Sequence, residues 1–183
     1  MVISFVENMQ SSVNKLDAQR VLRHVPIMPY HDVADIGAGD GHLTIPIAKY
    51  SYDGKIVAMD PDKVKIASLR EAVKAARLSN VLTRSITAGK RLPPKKESVD
   101  GVVLSRVLHH VNDPGHLLRE AKRILRDGGR AAVIELHKRA DVEGHPLEER
   151  LAEEDAKSML HEEGFRLRSR YDLGRYYMFV LRK

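Results

Sequence analysis

Short apolar runs alternate along this chain with stretches in which apolar residues recur every three or four positions. Runs of the first kind read as buried strands, and recurrences of the second kind as helices with one apolar face. Strands are predicted over Asp32–Ile36, Lys55–Met59 (closed by Asp60), Asn80–Ile86, Asp100–Leu104 and Ala131–Leu136. Helices are predicted over 12–24, 42–50, 61–78, 114–125 and 146–163. Pro26 and Pro29 stop the first, since proline lacks the amide a continuing helix needs. Pro61 suits a first helical position, and Asp127-Gly128-Gly129 is expected to end the fourth helix through a left-handed cap. Beyond Gly164, Phe165–Arg168 and Tyr176–Leu181 alternate in polarity, with Gly174 marking a turn between them. Strands interleaved with helices imply one doubly wound, mostly parallel sheet, with an antiparallel edge built from the last two strands.

The composition narrows the chemistry. A chain of 183 residues, 43% hydrophobic, fits a single domain over 1–183, with residues 1–30 as an N-terminal helix and lid. The absence of cysteine excludes disulfides, thiolate zinc sites, iron–sulfur clusters and a cysteine nucleophile. No apolar run is long enough to span a bilayer, and the first residues lack the basic head of a secretory signal, so a cytoplasmic protein is expected. The net charge is +6, with basic residues concentrated in 84–96 and after Arg166. Such an excess attracts nucleic acid or an anionic substrate, and more often is an ordinary solvated face.

The sharpest motif is Asp35-Ile36-Gly37-Ala38-Gly39-Asp40-Gly41, between a strand and a helix. Glycines there let the backbone turn tightly and let a ligand approach where a side chain would collide. Asp60 ends the second strand 19 residues after Gly41. In a doubly wound sheet neighbouring strand ends share a ligand crevice, where a carboxylate can accept both hydroxyl protons of a ribose. A dinucleotide site wants G-x-G-x-x-G, whereas His42 stands where the last glycine belongs. Asp35 adds negative charge that opposes a pyrophosphate and suits a ligand bearing an ammonium or sulfonium, which favours S-adenosylmethionine over NAD.

With these blocks, and with Val57–Asp60, Ser98–Val103, Val107–Pro114 and Ile124–Arg130 in order, the sequence resembles the class I S-adenosylmethionine-dependent methyltransferases. It is most similar to their small-molecule branch of the ubiquinone/menaquinone-biosynthesis kind (type 11). The resemblance spans roughly 33–138 and implies a Rossmann-like α/β domain with a seven-stranded sheet. It also implies an enzyme that transfers a methyl group in line to a small-molecule acceptor. By this resemblance Asp35, Gly37, Ala38, Gly39 and Gly41 would hold the methionine end. Asp60 would bind the ribose, Met59 and Pro61 would flank the adenine, and Ala88, Gly89 and Ser105 would complete the cofactor site. Family members commonly carry an acid for the adenine amino group where this chain has Ala88, a lost bond worth about 0.5–1.5 kcal/mol.

Methyl transfer is driven mostly by alignment and needs a base only if the nucleophile must lose a proton. The acceptor should meet the cofactor beyond strands four and five, so His109, His110, Glu135 and His137 are the candidate catalytic residues, with Arg106 and Tyr30 nearby. His109 or His110 could instead cap a helix, Glu135 could pair with Arg106, and Asp40 could support the loop. His110, His137 and Glu135 have no metal-ligand spacing, and no metal is expected. Two other functions compete. Methylation of RNA or another nucleic acid is motivated by basic Lys90–Lys96, although the Asp/Asn-Pro-Pro-aromatic tetrad of base-amino methyltransferases is missing at Leu104–Val107. A non-catalytic cofactor-binding partner subunit is motivated by Ala88 and by the small chain. So little lid material would leave a homodimer, or a large substrate, to cover the site.

Overall fold

The computed structural model describes residues 16–139 and 145–183. Seven strands, β1 (Val33–Ile36), β2 (Ile56–Asp60), β3 (Val81–Ser85), β4 (Val99–Ser105), β5 (Leu125–Leu136), β6 (Arg166–Asp172) and β7 (Tyr176–Arg182), form one sheet. Their order is β3-β2-β1-β4-β5-β7-β6. The first five are parallel, and β7 runs antiparallel to both β5 and the outer strand β6. This is the mostly parallel α/β sheet with an antiparallel edge that the alternation predicts.

The helices described are α1 (Ala18–Leu22), α2 (Thr44–Tyr50), α3 (Lys63–Ala75), α4 (Pro114–Ile124) and α5 (Glu153–Glu162), with 3₁₀ turns at Leu108–His110 and Leu147–Glu149. Because side chains alternate across a strand, β1, β4, β5 and β7 each supply both faces. Ala34, Ile36, Val102, Leu104, Val133, Tyr177 and Phe179 pack with Leu118, Ile124 and Leu160 of α4 and α5. Val33, Val103, Ala132, Ile134 and Met178 pack on the opposite side with Val21 and Ile47 of α1 and α2. Ala58 joins Ile66, Leu69 and Val73 of α3. Each fully buried leucine or isoleucine in these layers contributes about 1.5–3 kcal/mol. Both faces of the sheet are therefore covered, leaving the C-terminal ends of the strands free to build a site.

Four local expectations change. The helix expected over 12–24 is seen as Ala18–Leu22, capped by the Asp17 side chain on the amides of Gln19 and Arg20; residues 12–15 lie outside the described residues, as does half of the expected lid. Pro61 precedes α3 and does not start it, because Asp62 accepts from the amides of Val64 and Lys65 and so fixes the cap one residue later. Asp127-Gly128-Gly129 does not cap α4. The chain turns extended at Leu125, which pairs with Val99, and residues 126–129 bulge out before Arg130 pairs with Gly101. Gly128, at φ +77°, serves that bulge. Its neighbour Arg126 bridges Asp100 at 2.6 Å and Asp32 at 3.4 Å, tying the starts of β1 and β4 together. The acidic helix expected over 146–163 is broken at Arg150. That buried guanidinium donates to the carbonyls of His137, Arg139 and His145, so the helix starts only at Glu153.

Candidate active site

The C-terminal ends of β1, β2 and β4 open onto a crevice of about 400 Å³ lined by Gly37, Gly39, Asp60, Pro61, Ala88, Ser105, Arg106, His110 and His145. A second, more apolar pocket of about 170 Å³ adjoins it through Gly37, Pro61, Ala88 and Val107, and is walled by Ile86, Gly89, Leu92 and Leu117.

The glycine turn shapes this crevice through backbone angles that L side chains rarely adopt. Gly37, Gly39 and Gly41 have φ of +78°, +57° and +94°. A Cβ on Gly39 would meet nothing within 4 Å, so its backbone is bare toward the crevice, while one on Gly41 would come within 2.4 Å of Leu69. The Gly37 and Ala38 amides donate to the Met59 carbonyl, and the Gly39 amide donates to Asp60 Oδ2 at 2.9 Å. Asp60 Oδ1 accepts from the Asp62 amide at 2.9 Å. Each carboxylate oxygen offers two lone pairs, so Asp60 is locked in place and retains acceptor capacity on both oxygens.

Asp35 is buried at the end of β1. Its Oδ2 accepts from Thr44 Oγ1 at 2.6 Å, and its Oδ1 has no partner. Burial pushes its pKa up to about 6; the Thr44 bond lowers it in part, and the charge of Asp60 adds to the rise. Ser105, buried at the end of β4, also has an unpartnered hydroxyl. Arg106 follows it at φ +53°, a strained conformation for a non-glycine residue of the sort that gathers at functional sites. An unpartnered buried oxygen on Asp35, a bare Gly39 and an anchored carboxylate on Asp60 fit a cofactor bearing an ammonium group and a ribose. Ala88 and Gly89 line the second pocket, whose one acid is Asp113, the residue that caps α4; His116, unremarked in the sequence, borders the same pocket with a buried, unpartnered Nε2.

The candidate catalytic residues separate. Glu135 lies behind the crevice with 1% exposure. Its Oε1 accepts from the amides of Val107 and Leu108 at 3.0 and 2.8 Å, and its Oε2 bonds His109 Nδ1 at 2.5 Å. It thus fixes the turn that follows β4, and it is not paired with Arg106. His109 is buried in that turn with an unpartnered Nε2. His110 stands on the crevice wall beside His145, which the sequence pattern does not single out. His137 is elsewhere. It is buried against α5 and β6, with Nδ1 at 3.1 Å from Glu153 and Nε2 at 3.6 Å from Asp172, and borders neither pocket. Tyr30 is 64% exposed and also absent from both walls.

The type 11 methyltransferase-domain family matches residues 34–133. The chain belongs to the class I S-adenosylmethionine-dependent methyltransferases. It is 32% identical over 102 residues to an uncharacterized methyltransferase of Mycobacterium tuberculosis, covering 56% of this chain and 38% of that protein. It is 27% identical over 111 residues to a demethylmenaquinone methyltransferase of Symbiobacterium thermophilum, covering 60% of this chain and 44% of that protein. The chain therefore spans less than half the length of these two relatives. A SAM-dependent methyltransferase from Aquifex aeolicus superposes with a TM-score of 0.88 over 98% of this chain and 97% of that one. At 22% identity that likeness establishes the fold. S-adenosylmethionine is the cofactor that family and fold imply. Among the described residues no helix is long and apolar enough to cross a membrane.

Proposed function

We propose that this methyltransferase-family chain transfers a methyl group from S-adenosylmethionine to a small organic acceptor. The observation that carries the reading is the bare backbone at Gly39 and the anchored Asp60 carboxylate on one crevice, with the unpartnered Asp35 oxygen buried at the end of β1, two residues before the crevice-lining Gly37. Asp35 would take the methionine ammonium, supplying the partner its buried oxygen lacks. Asp60 would accept from the ribose hydroxyls while keeping its two backbone donors. Pro61, Ala88 and Gly89 would border the adenine, with no acid at position 88 to take its amino group. The bound cofactor supplies an electrophilic methyl group. This chain's own part is to hold an acceptor in line with it beyond Ser105 and Arg106, where His110 reaches the wall. Supporting a small acceptor, the matched Symbiobacterium relative is named for a quinone-type one, and the crevice volume lies within the range usual for small-ligand sites.

The test is thermal stability with and without S-adenosylhomocysteine, in the wild type and in Asp60→Ala. Ligand at about 100 times its dissociation constant should add about 2.7 kcal/mol, a rise of several degrees, in the wild type only. An equal rise in the variant would overturn the cofactor site. Methylated product from a panel of small phenols and quinols, and none from RNA, would then establish the acceptor class.

A further inference from the structure

We propose that His109, His110 and His145 form a binding site for a divalent transition-metal ion, zinc foremost, at the mouth of the crevice. A ring nitrogen of each lies within 4.8 Å of those of the other two. The ring centroids are 3.9 Å apart for His109 and His110, 5.2 Å for His109 and His145, and 4.7 Å for His110 and His145. Three neutral imidazoles without a thiolate suit zinc, copper, nickel or iron rather than calcium or magnesium.

The second observation is on His109. Its side chain is 2% exposed, and its Nδ1 is bonded to the carboxylate of Glu135. Bonded to a carboxylate, Nδ1 carries the hydrogen, and the neutral ring then presents a lone pair at Nε2. That nitrogen is buried without any partner, a costly condition for a polar atom, and a metal ion relieves it. A carboxylate fixing the tautomer and orientation of a ligating histidine is the usual support of such sites. Glu135 is itself held by the Val107 and Leu108 amides, so the first ligand is preorganised. Tetrahedral zinc at 2.0–2.1 Å from each nitrogen would bring the nitrogens to about 3.4 Å apart. The exposed His110 and His145 side chains can close that gap by rotation.

His110 and His145 both border the crevice that holds Ser105 and Asp60, so an ion held by them would lie at its edge. Three protein ligands with one open position is the arrangement of catalytic rather than structural zinc. That an anionic oxygen or sulfur of the acceptor fills this position rests on the methyl-transfer reading; the ion site does not.

The experiment is calorimetric titration of untagged, chelator-treated chain with zinc chloride. One zinc per chain is expected, with affinity falling about 100-fold in His110→Ala and His145→Ala, which remove exposed side chains and leave the fold intact. Glu135→Gln should weaken binding about 10- to 100-fold, and His161→Ala, on the distant surface of α5, should leave it unchanged. The S-adenosylhomocysteine thermal shift, measured on the wild-type chain without zinc, reads the cofactor site separately. Non-saturable binding, or binding unaffected by His145→Ala, overturns the ion site while leaving the cofactor reading untouched. Specific zinc binding without any S-adenosylhomocysteine shift keeps the ion site and overturns methyl transfer.

Discussion

Asp35→Asn separates the stability of the fold from the task of the crevice. The wild-type carboxyl is buried, with a pKa of about 6 against an ordinary value of 3.8. An acid whose folded pKa is raised weakens the folded state when ionised. The weakening is present above pH 6, fades as pH falls through 6, and is gone below the ordinary value. The shift corresponds to about 3 kcal/mol above pH 6. Asparagine keeps the Thr44 contact and removes the charge, but its amide nitrogen takes over the site of the unpartnered Oδ1 at a cost of about 1–3 kcal/mol. Without ligand, Asp35→Asn should thus be about as stable as the wild type or up to 2 kcal/mol more so near pH 7.5, and the difference should move against the variant by about 2 kcal/mol near pH 4.5. Titrations not coupled to Asp35 are common to the two proteins and cancel in the difference. Thermal or urea unfolding of both across that range measures it. The S-adenosylhomocysteine shift, by contrast, should be lost in the variant at all pH values, because the methionine ammonium no longer meets a charge. A stability difference that stays flat with pH would refute the buried, strained carboxylate. An undiminished ligand shift would refute its role at the methionine end.

Three further outcomes are expected. Ala88→Asp, which places an acid on the adenine side of the pocket, should tighten S-adenosylhomocysteine about 2- to 10-fold by calorimetry, the value of one added hydrogen bond; unchanged or weaker binding would show that adenine does not lie there. Gly54→Ala should destabilise the fold by about 3 kcal/mol or prevent folding, since its Cβ would lie 1.9 Å from the His31 carbonyl oxygen; a small change in urea midpoint would show that the loop gives way. His137→Gln should leave the cofactor shift unchanged while lowering thermal stability, because this histidine sits in the α5–β6 ion network and off the crevice; loss of binding would place it back in the site.

Much of the architecture was legible in the chain because it depends on local order. Five short apolar runs separated by amphipathic stretches permit little besides a doubly wound sheet, and the glycine turn followed by Asp60 marks where two strand ends must meet. Asp35 and the glycines are neighbours in sequence, so their joint geometry follows from one strand–turn–helix unit. What the chain could not reveal were contacts made across long separations. Glu135 and His109 are 26 residues apart, and their bond exists only because β4 and β5 are paired neighbours. His137 is two residues beyond Glu135, yet β6 and α5 draw it into another network. His145 meets His109 and His110 only in the folded chain, a proximity that no spacing encodes. The helix limits at Asp62, Leu125 and Arg150 were likewise set by a side-chain cap, a strand pairing and a guanidinium binding three carbonyls. Periodicity thus determined which elements form and in what order. Tertiary pairing decided which buried polar atoms find partners and which are left facing the crevice, since a hydrogen bond needs two groups within about 3 Å and only the folded chain brings distant ones so close.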